Sequence, residues 1–174
     1  MKPDDEAAVL RRALDQLAGL LDDVPGDALG NGTPCERWSV RDLVDHVVAA
    51  PTRFGRMVRG EPVDWAATPS AGAEPGAEFR SHAEDLLRAR REHGAGPVPV
   101  DWQCAEIAVH TWDLATALGR STAELDPEVA ERGLAFMRAN LTADNRGPAF
   151  GPEQPAPEGA DPYQRVAAFA GRSV

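Results

Sequence analysis

Cys104-Ala-Glu-Ile-Ala-Val-His-Thr-Trp-Asp-Leu-Ala115 carries two side-chain stripes at helical spacing, and their period decides the fold class. Ala105, Ala108, Val109, Trp112 and Ala115 recur every three or four residues, which places them on one helical face. Gln103, Glu106, His110, Asp113 and Ala117 form the adjacent stripe. The helix is expected from about Asp101 to Leu118-Gly119.

The flanking sequence repeats this period and shows no strand-like alternation. Leu10, Leu14, Leu17 and Leu21 mark a first helix from about Asp5 to Leu21, stopped by Pro25-Gly26. Ser39 and Asp42 have capping-box spacing and open a second helix. Its stripe, Val40, Leu43, Val44, Val47, Phe54 and Val58, runs to about Arg59, with a kink expected at Pro51. Residues 60–76 read as a loop. A third helix is expected over Ala77 to Glu92, broken by Gly94-Ala-Gly-Pro-Val-Pro99. Asp126-Pro127 is an N-cap and first-turn pair for a fifth helix through about Leu141. A loop rich in proline and glycine follows over 144–162, then a short helix from Tyr163 to Ala170. The expectation is an all-α, single-domain bundle of four helices over residues 1–174, with a short extra C-terminal helix.

Composition narrows the function classes. The net charge of −10 disfavours nucleic acid as a partner, because phosphate neutralisation needs clustered Lys and Arg. No stretch approaches the roughly 20 apolar residues of a membrane span. The N-terminus lacks the basic-then-apolar order of a signal peptide. A cytoplasmic address is therefore expected, with Cys35 and Cys104 reduced rather than bridged. The use of Ala, Arg, Gly and Pro with a single Lys resembles that of a high-GC bacterial genome. Neither a phosphate-binding glycine loop nor a Gly-x-Ser-x-Gly nucleophile elbow is present.

Chemistry concentrates in three residues. Glu106 and His110, at i and i+4, can point at one atom, and His46 from a second helix would complete a three-ligand set. Two imidazoles and one carboxylate suit a borderline divalent metal, namely zinc, nickel or iron, with positions left for water or substrate. Asp113, three residues beyond His110, is placed to accept that ligand's second ring N–H, and Gln103 lies on the same stripe. The same Glu/His spacing also makes ordinary surface ion pairs, and a lone His beside an apolar stripe is commonly a hydrogen-bonded core residue. His82 and His93, among Arg and Glu, read as a solvated face. Arg53 and Arg56, after His46, are candidates to meet an anionic substrate or simply surface charges.

Two longer stretches carry a resemblance. Thr33-Pro-Cys-Glu-Arg-Trp-Ser-Val-Arg-Asp-Leu-Val-Asp-His46 resembles the segment leading to the first metal histidine of the mycothiol-dependent maleylpyruvate isomerase N-terminal family, in the DinB-like bundle superfamily. Ala105-Glu-Ile-Ala-Val-His-Thr-Trp-Asp-Leu-Ala115 resembles that family's second ligand helix. The closing Ala149-Phe-Gly-Pro-Glu153 looks like a compact actinobacterial branch described as metal-binding. The resemblance implies a four-helix core holding a divalent metal, commonly zinc, through His46, Glu106 and His110. It further implies a low-molecular-weight thiol, mycothiol or a similar one, activated at that metal. The isomerase carries a further C-terminal domain for which these 174 residues have no counterpart.

The expected function is a metal-dependent, thiol-using transferase or isomerase acting on a small electrophilic substrate. The alternatives are a non-catalytic module binding a divalent metal or small ligand, and a hydrolase using metal-bound water on the same site. A homodimer is the expected assembly.

Overall fold

The computed structural model describes residues 3–94, 96–146 and 150–174. Ala95, in the expected break after the third helix, and residues 147–149, which include Ala149 of the closing motif, lie outside them.

Among the described residues the chain forms six α-helices and no strand. They are α1 (Pro3–Asp22), α2 (Val40–Val58), α3 (Pro75–His93), α4 (Val100–Ala117), α5 (Pro127–Asn140) and α6 (Pro162–Phe169). The expected all-α bundle is what forms. α1 packs on α3 and α4, and α2 packs on the same two, so the four close into a ring. α5 lies against α4, and α6 against α4 and α5. The leucine stripe of α1 is fully buried, as are Leu43, Leu86 and Leu114 from the other three helices of the ring.

Several boundaries fall earlier than the sequence suggests, for one physical reason. α3 and α6 each begin with a proline that the sequence reading left in the preceding loop. A first-turn N–H has no intrahelical partner, so proline loses nothing there and its fixed φ favours the helix. Pro75 and Pro162, read from sequence as the ends of loops, are therefore helix starts. A short 3-10 turn, Gly26–Ala28, occupies the first loop.

The caps and ties explain how the ends hold. Ser39 and Asp42 form the expected capping box: the Asp42 N–H donates to Ser39 Oγ at 3.2 Å and the Ser39 N–H to Asp42 Oδ2 at 2.9 Å. Asp126 caps α5 by accepting the Glu128 N–H at 2.9 Å. Gln16 of α1 joins three elements, donating to Tyr163 Oη at 2.8 Å and accepting the Asp126 N–H at 2.5 Å. α2 continues through Pro51 as a single helix. One turn earlier, the Val48 carbonyl accepts His82 Nδ1–H at 2.8 Å. His82 is thus a half-buried tie between α2 and α3, not part of a solvated face.

Candidate metal centre

α2 brings His46 to the wall formed by α4, where Glu106 and His110 stand one turn apart. One ligand atom from each lies within 4.8 Å of the others. His46 Nε2 is 2.8 Å from Glu106 Oε1, and His110 Nε2 is 3.4 Å from the same oxygen. Metal–ligand bonds of about 2.0–2.1 Å in a tetrahedron put ligand atoms roughly 3.3 Å apart, so this spacing fits a borderline divalent cation.

The outer partners fix His110. Its Nδ1–H donates to Asp113 Oδ2 at 3.1 Å, which leaves Nε2 free to face Glu106. Asp113 is 0% exposed, and a bare carboxylate there would be costly. Arg172, just beyond α6 and 6% exposed, meets it with two bonds: Nε to Oδ1 at 3.2 Å and Nη2 to Oδ2 at 3.0 Å. The fork geometry of guanidinium on carboxylate is what gives such a pair its direction. The chain Arg172–Asp113–His110 thus runs from α6 through α4 to the cluster.

A tryptophan covers the imidazoles. Trp38 has ring centroids 4.6 Å from His46 and 5.7 Å from His110. The loop before α2 holds it: the Thr33 hydroxyl lies 3.0 Å from the Cys35 carbonyl and 2.9 Å from the Trp38 carbonyl, sharing its one proton between them. The Trp38 N–H closes on the Cys35 carbonyl at 2.8 Å.

Electrostatics divide the two histidines. Burial pushes His46 below the ordinary imidazole value, and its bond to Glu106 offsets this only in part. Burial would lower His110 too, but the Glu106 carboxylate and the Asp113 bond outweigh it and push His110 up to about 9. Glu106 would be raised by burial, yet His110 and His46 beside it hold it well below the usual carboxylate range. The metal-free cluster is therefore an imidazolium, a carboxylate and a neutral imidazole.

A pH dependence follows. A cation must displace the His110 proton, which that site retains up to about pH 9. The logarithm of zinc affinity is expected to rise by about one per pH unit from about pH 6.5 to 8.5, then flatten above about pH 9. Competition against a chromophoric chelator across that range measures it, and a flat profile would contradict the assignment.

The cluster opens on a cavity of about 980 Å³. Its wall includes His46, Glu106, His110, Cys35, Trp38 and Arg172, with Trp102, Phe136, Met137 and Phe150 further along. The other sequence candidates lie elsewhere. Arg53 is buried, its Nη2 donating to the Ala67 carbonyl at 2.8 Å and to Thr68 Oγ1 at 3.2 Å. Asp45 holds the same loop by accepting the Ala71 N–H at 2.8 Å. Arg56 pairs at 3.5 Å with Glu61 at the surface. Neither arginine lines the cavity. Gln103 is fully buried, and neither of its amide atoms has a hydrogen-bond partner among the described residues, so it makes no bond to the cluster. Sequence reading missed Arg172, Trp38 and the apolar wall. The one signal available for Arg172 was Asp113, since a buried carboxylate requires a countercharge.

Fold and site together define a class: a helical bundle in which two histidines and a glutamate converge at the wall of a cavity. The chain belongs to the mycothiol maleylpyruvate isomerase N-terminal domain family, whose sequence model matches residues 10–115. Two relatives from Mycobacterium tuberculosis, uncharacterized protein Rv0738 of strain H37Rv and uncharacterized protein MT0763 of strain CDC 1551, are each 36% identical to it. Each alignment covers 94% of this chain and 96% of the relative. No solved structure gives a significant match. Among the described residues, no helix is long and apolar enough to cross a membrane.

Proposed function

We propose that this protein is a metal-dependent, thiol-using transferase or isomerase acting on a small electrophile. The observation that carries the reading is the convergence of His46, Glu106 and His110 within 4.8 Å at the wall of a cavity large enough for reactants. The family description supplies the thiol: it names mycothiol and an isomerase.

His46, Glu106 and His110 would hold the cation, zinc being the first choice for this donor set, with nickel and iron also suited to it. When bound, such a cation lowers the pKa of a neighbouring thiol, so thiolate is available at neutral pH. Everything else falls to the chain's own residues. Asp113 keeps His110 in the tautomer that presents Nε2, and His110 and Arg172 together keep Asp113 ionised against its burial. Trp38 packs beside both imidazole rings.

The protein's own cysteines are poor substitutes for an added thiol. Burial pushes Cys104 up to about 12 and raises Cys35 as well, so both remain protonated at neutral pH. In this reading the nucleophile is a small thiol that enters the cavity. Its S–H proton passes to solvent, and the thiolate sulfur uses its electron pair to form a bond to the electrophilic carbon. In transfer, a leaving group departs with the electron pair of the broken bond. In isomerisation, the double-bond electrons move onto the substrate, rotation follows, and thiolate is expelled as the double bond returns.

The test is turnover of an electrophile panel with mycothiol or cysteine, using zinc-loaded and chelator-stripped protein. Thiol-dependent consumption restored by zinc is the expected result. Zinc-dependent product that carries solvent oxygen and needs no thiol would assign the site to hydrolysis instead. Inertness of the zinc-loaded protein towards the whole panel would remove the catalytic reading.

A further inference from the structure

The cavity is not uniform along its length. On α4 its wall runs from Trp102 through Ala105, Glu106 and Val109 to His110, nine residues or about 12 Å of helix. The charged groups gather at the His110 end: Arg172 is bound to Asp113, and Arg37 lies on the loop whose Trp38 covers both imidazoles. The Trp102 end is built with Phe136 and Met137 of α5, facing small residues of α4, and Phe150 adds a further apolar ring to the wall beside Gly151, which packs on Gly171.

Backbone packing creates that end. Gly133 sits so close to α4 that an added Cβ would stand 2.8 Å from the Ala105 Cα. α5 can approach there only because position 133 lacks a side chain. One turn on, Phe136 and Met137 line the space beside Ala105 and Val109, which are too small to fill it. Trp102, Phe136 and Phe150 are each partly exposed and line the same cavity. Large apolar side chains around a concave opening mark a binding site for a ligand that covers them.

We infer that this end of the cavity is a subsite for an uncharged molecule with an aromatic or alkyl body, and that this is the electrophile class the protein acts on. The inference rests on the reading of the cluster as the reaction centre. A carboxylate placed between Trp102 and Phe136 would give up hydration, and among the described residues the lining cations of the cavity, Arg37 and Arg172, belong to the loop before α2 and the segment after α6, not to α4 or α5. Asn140, the neutral polar residue of α5 in this wall, gives one of its two Nδ2–H donors to the Phe136 carbonyl at 2.8 Å and carries no charge to offset a carboxylate. A neutral ring loses nothing comparable and gains by covering the three aromatic side chains. At about 980 Å³ the cavity stands near the upper end of small-molecule sites, so thiol and apolar body can occupy it together.

The probe is 1,3-dinitrobenzene, an uncharged aromatic that quenches tryptophan fluorescence without reacting with thiols, titrated into zinc-loaded and zinc-free protein. Maleate serves as the small dicarboxylate comparator. Saturable quenching is expected in both forms, weakened at least about tenfold by Phe136→Asp and by Phe150→Asp, with Phe136→Leu close to the parent. Maleate should not displace the probe. Both charged variants keep a half-exposed position, and thermal melts confirm that they fold. Non-saturable quenching, quenching indifferent to both charged variants, or displacement by maleate would overturn the inference. Zinc uptake measured on the same samples separates the two readings. Zinc binding without probe binding removes the subsite alone, and probe binding without zinc removes the thiol chemistry and with it the electrophile assignment.

Discussion

Arg172→Ala is expected to destabilise the metal-free protein by about 3–5 kcal/mol, the usual consequence of stripping one partner from a buried ion pair. Asp113 is fully buried, and Arg172 contributes both of its guanidinium contacts. Without that cation, the remaining side-chain partner of the carboxylate among the described residues would be His110. For a chain of this size the loss corresponds to a fall of roughly 6–20 °C in Tm, measurable by circular dichroism. Arg172→Lys retains the charge but not the fork, so an intermediate fall is expected. The partner variant Asp113→Asn, combined with Arg172→Met, should recover much of the loss, because it removes the unpaired charge. The same Arg172→Ala change should weaken zinc binding by about 10–100-fold, the common effect of losing a ligand's outer support. An unchanged melt together with unchanged zinc affinity would show that the pair does not hold the site.

His110→Ala should weaken zinc binding by more than roughly 100-fold, since removing even an outer hydrogen-bond partner costs about 10–100-fold. His46→Ala should do the same from the opposite helix. The two differ in metal-free stability. His110 is raised above the ordinary imidazole value, to about 9, so its contribution is fully present below about pH 6.5 and is lost as pH rises through about 9. His46 is lowered, so the neutral ring is its stable form. At pH 6, therefore, His110→Ala should lower the melt of stripped protein more than His46→Ala does. Isothermal titration of zinc and a thermal melt of each variant check both parts. Zinc binding that survives either substitution would break the three-ligand assignment.

The helices were legible in the sequence because their apolar stripes keep one period from Leu10 to Trp112. The capping box at Ser39 and the Asp126-Pro127 pair marked their own ends through local chemistry. The Glu106/His110 pair was equally local, four residues on one helix. His46 was harder to assign, since its partners lie sixty residues away and only packing of α2 on α4 brings them together. Residue positions on loops were beyond local reasoning altogether. Trp38 reaches the imidazoles because Thr33 and the Cys35 carbonyl fold its loop back. Arg172 follows a glycine near the C-terminus and gave no periodic signal. Arg53 looked available for a substrate because nothing in its neighbourhood announced that the Ala67 carbonyl would take its donors. Gly133 sets the approach of α5 and thereby shapes the cavity, a role that depends on a partner helix and not on its own neighbours in sequence.

Cobalt(II) loading followed by thiol addition tests the central claim most directly, because it reports the ligand set and the open position in one spectrum. Stripped protein should take up one cobalt ion and show d–d absorption that His110→Ala abolishes. Titrated mycothiol or cysteine should then add a saturable sulfur-to-cobalt charge-transfer band in the near ultraviolet. Cobalt that fails to bind, or a bound spectrum that no thiol moves, would contradict a thiol-activating centre at His46, Glu106 and His110.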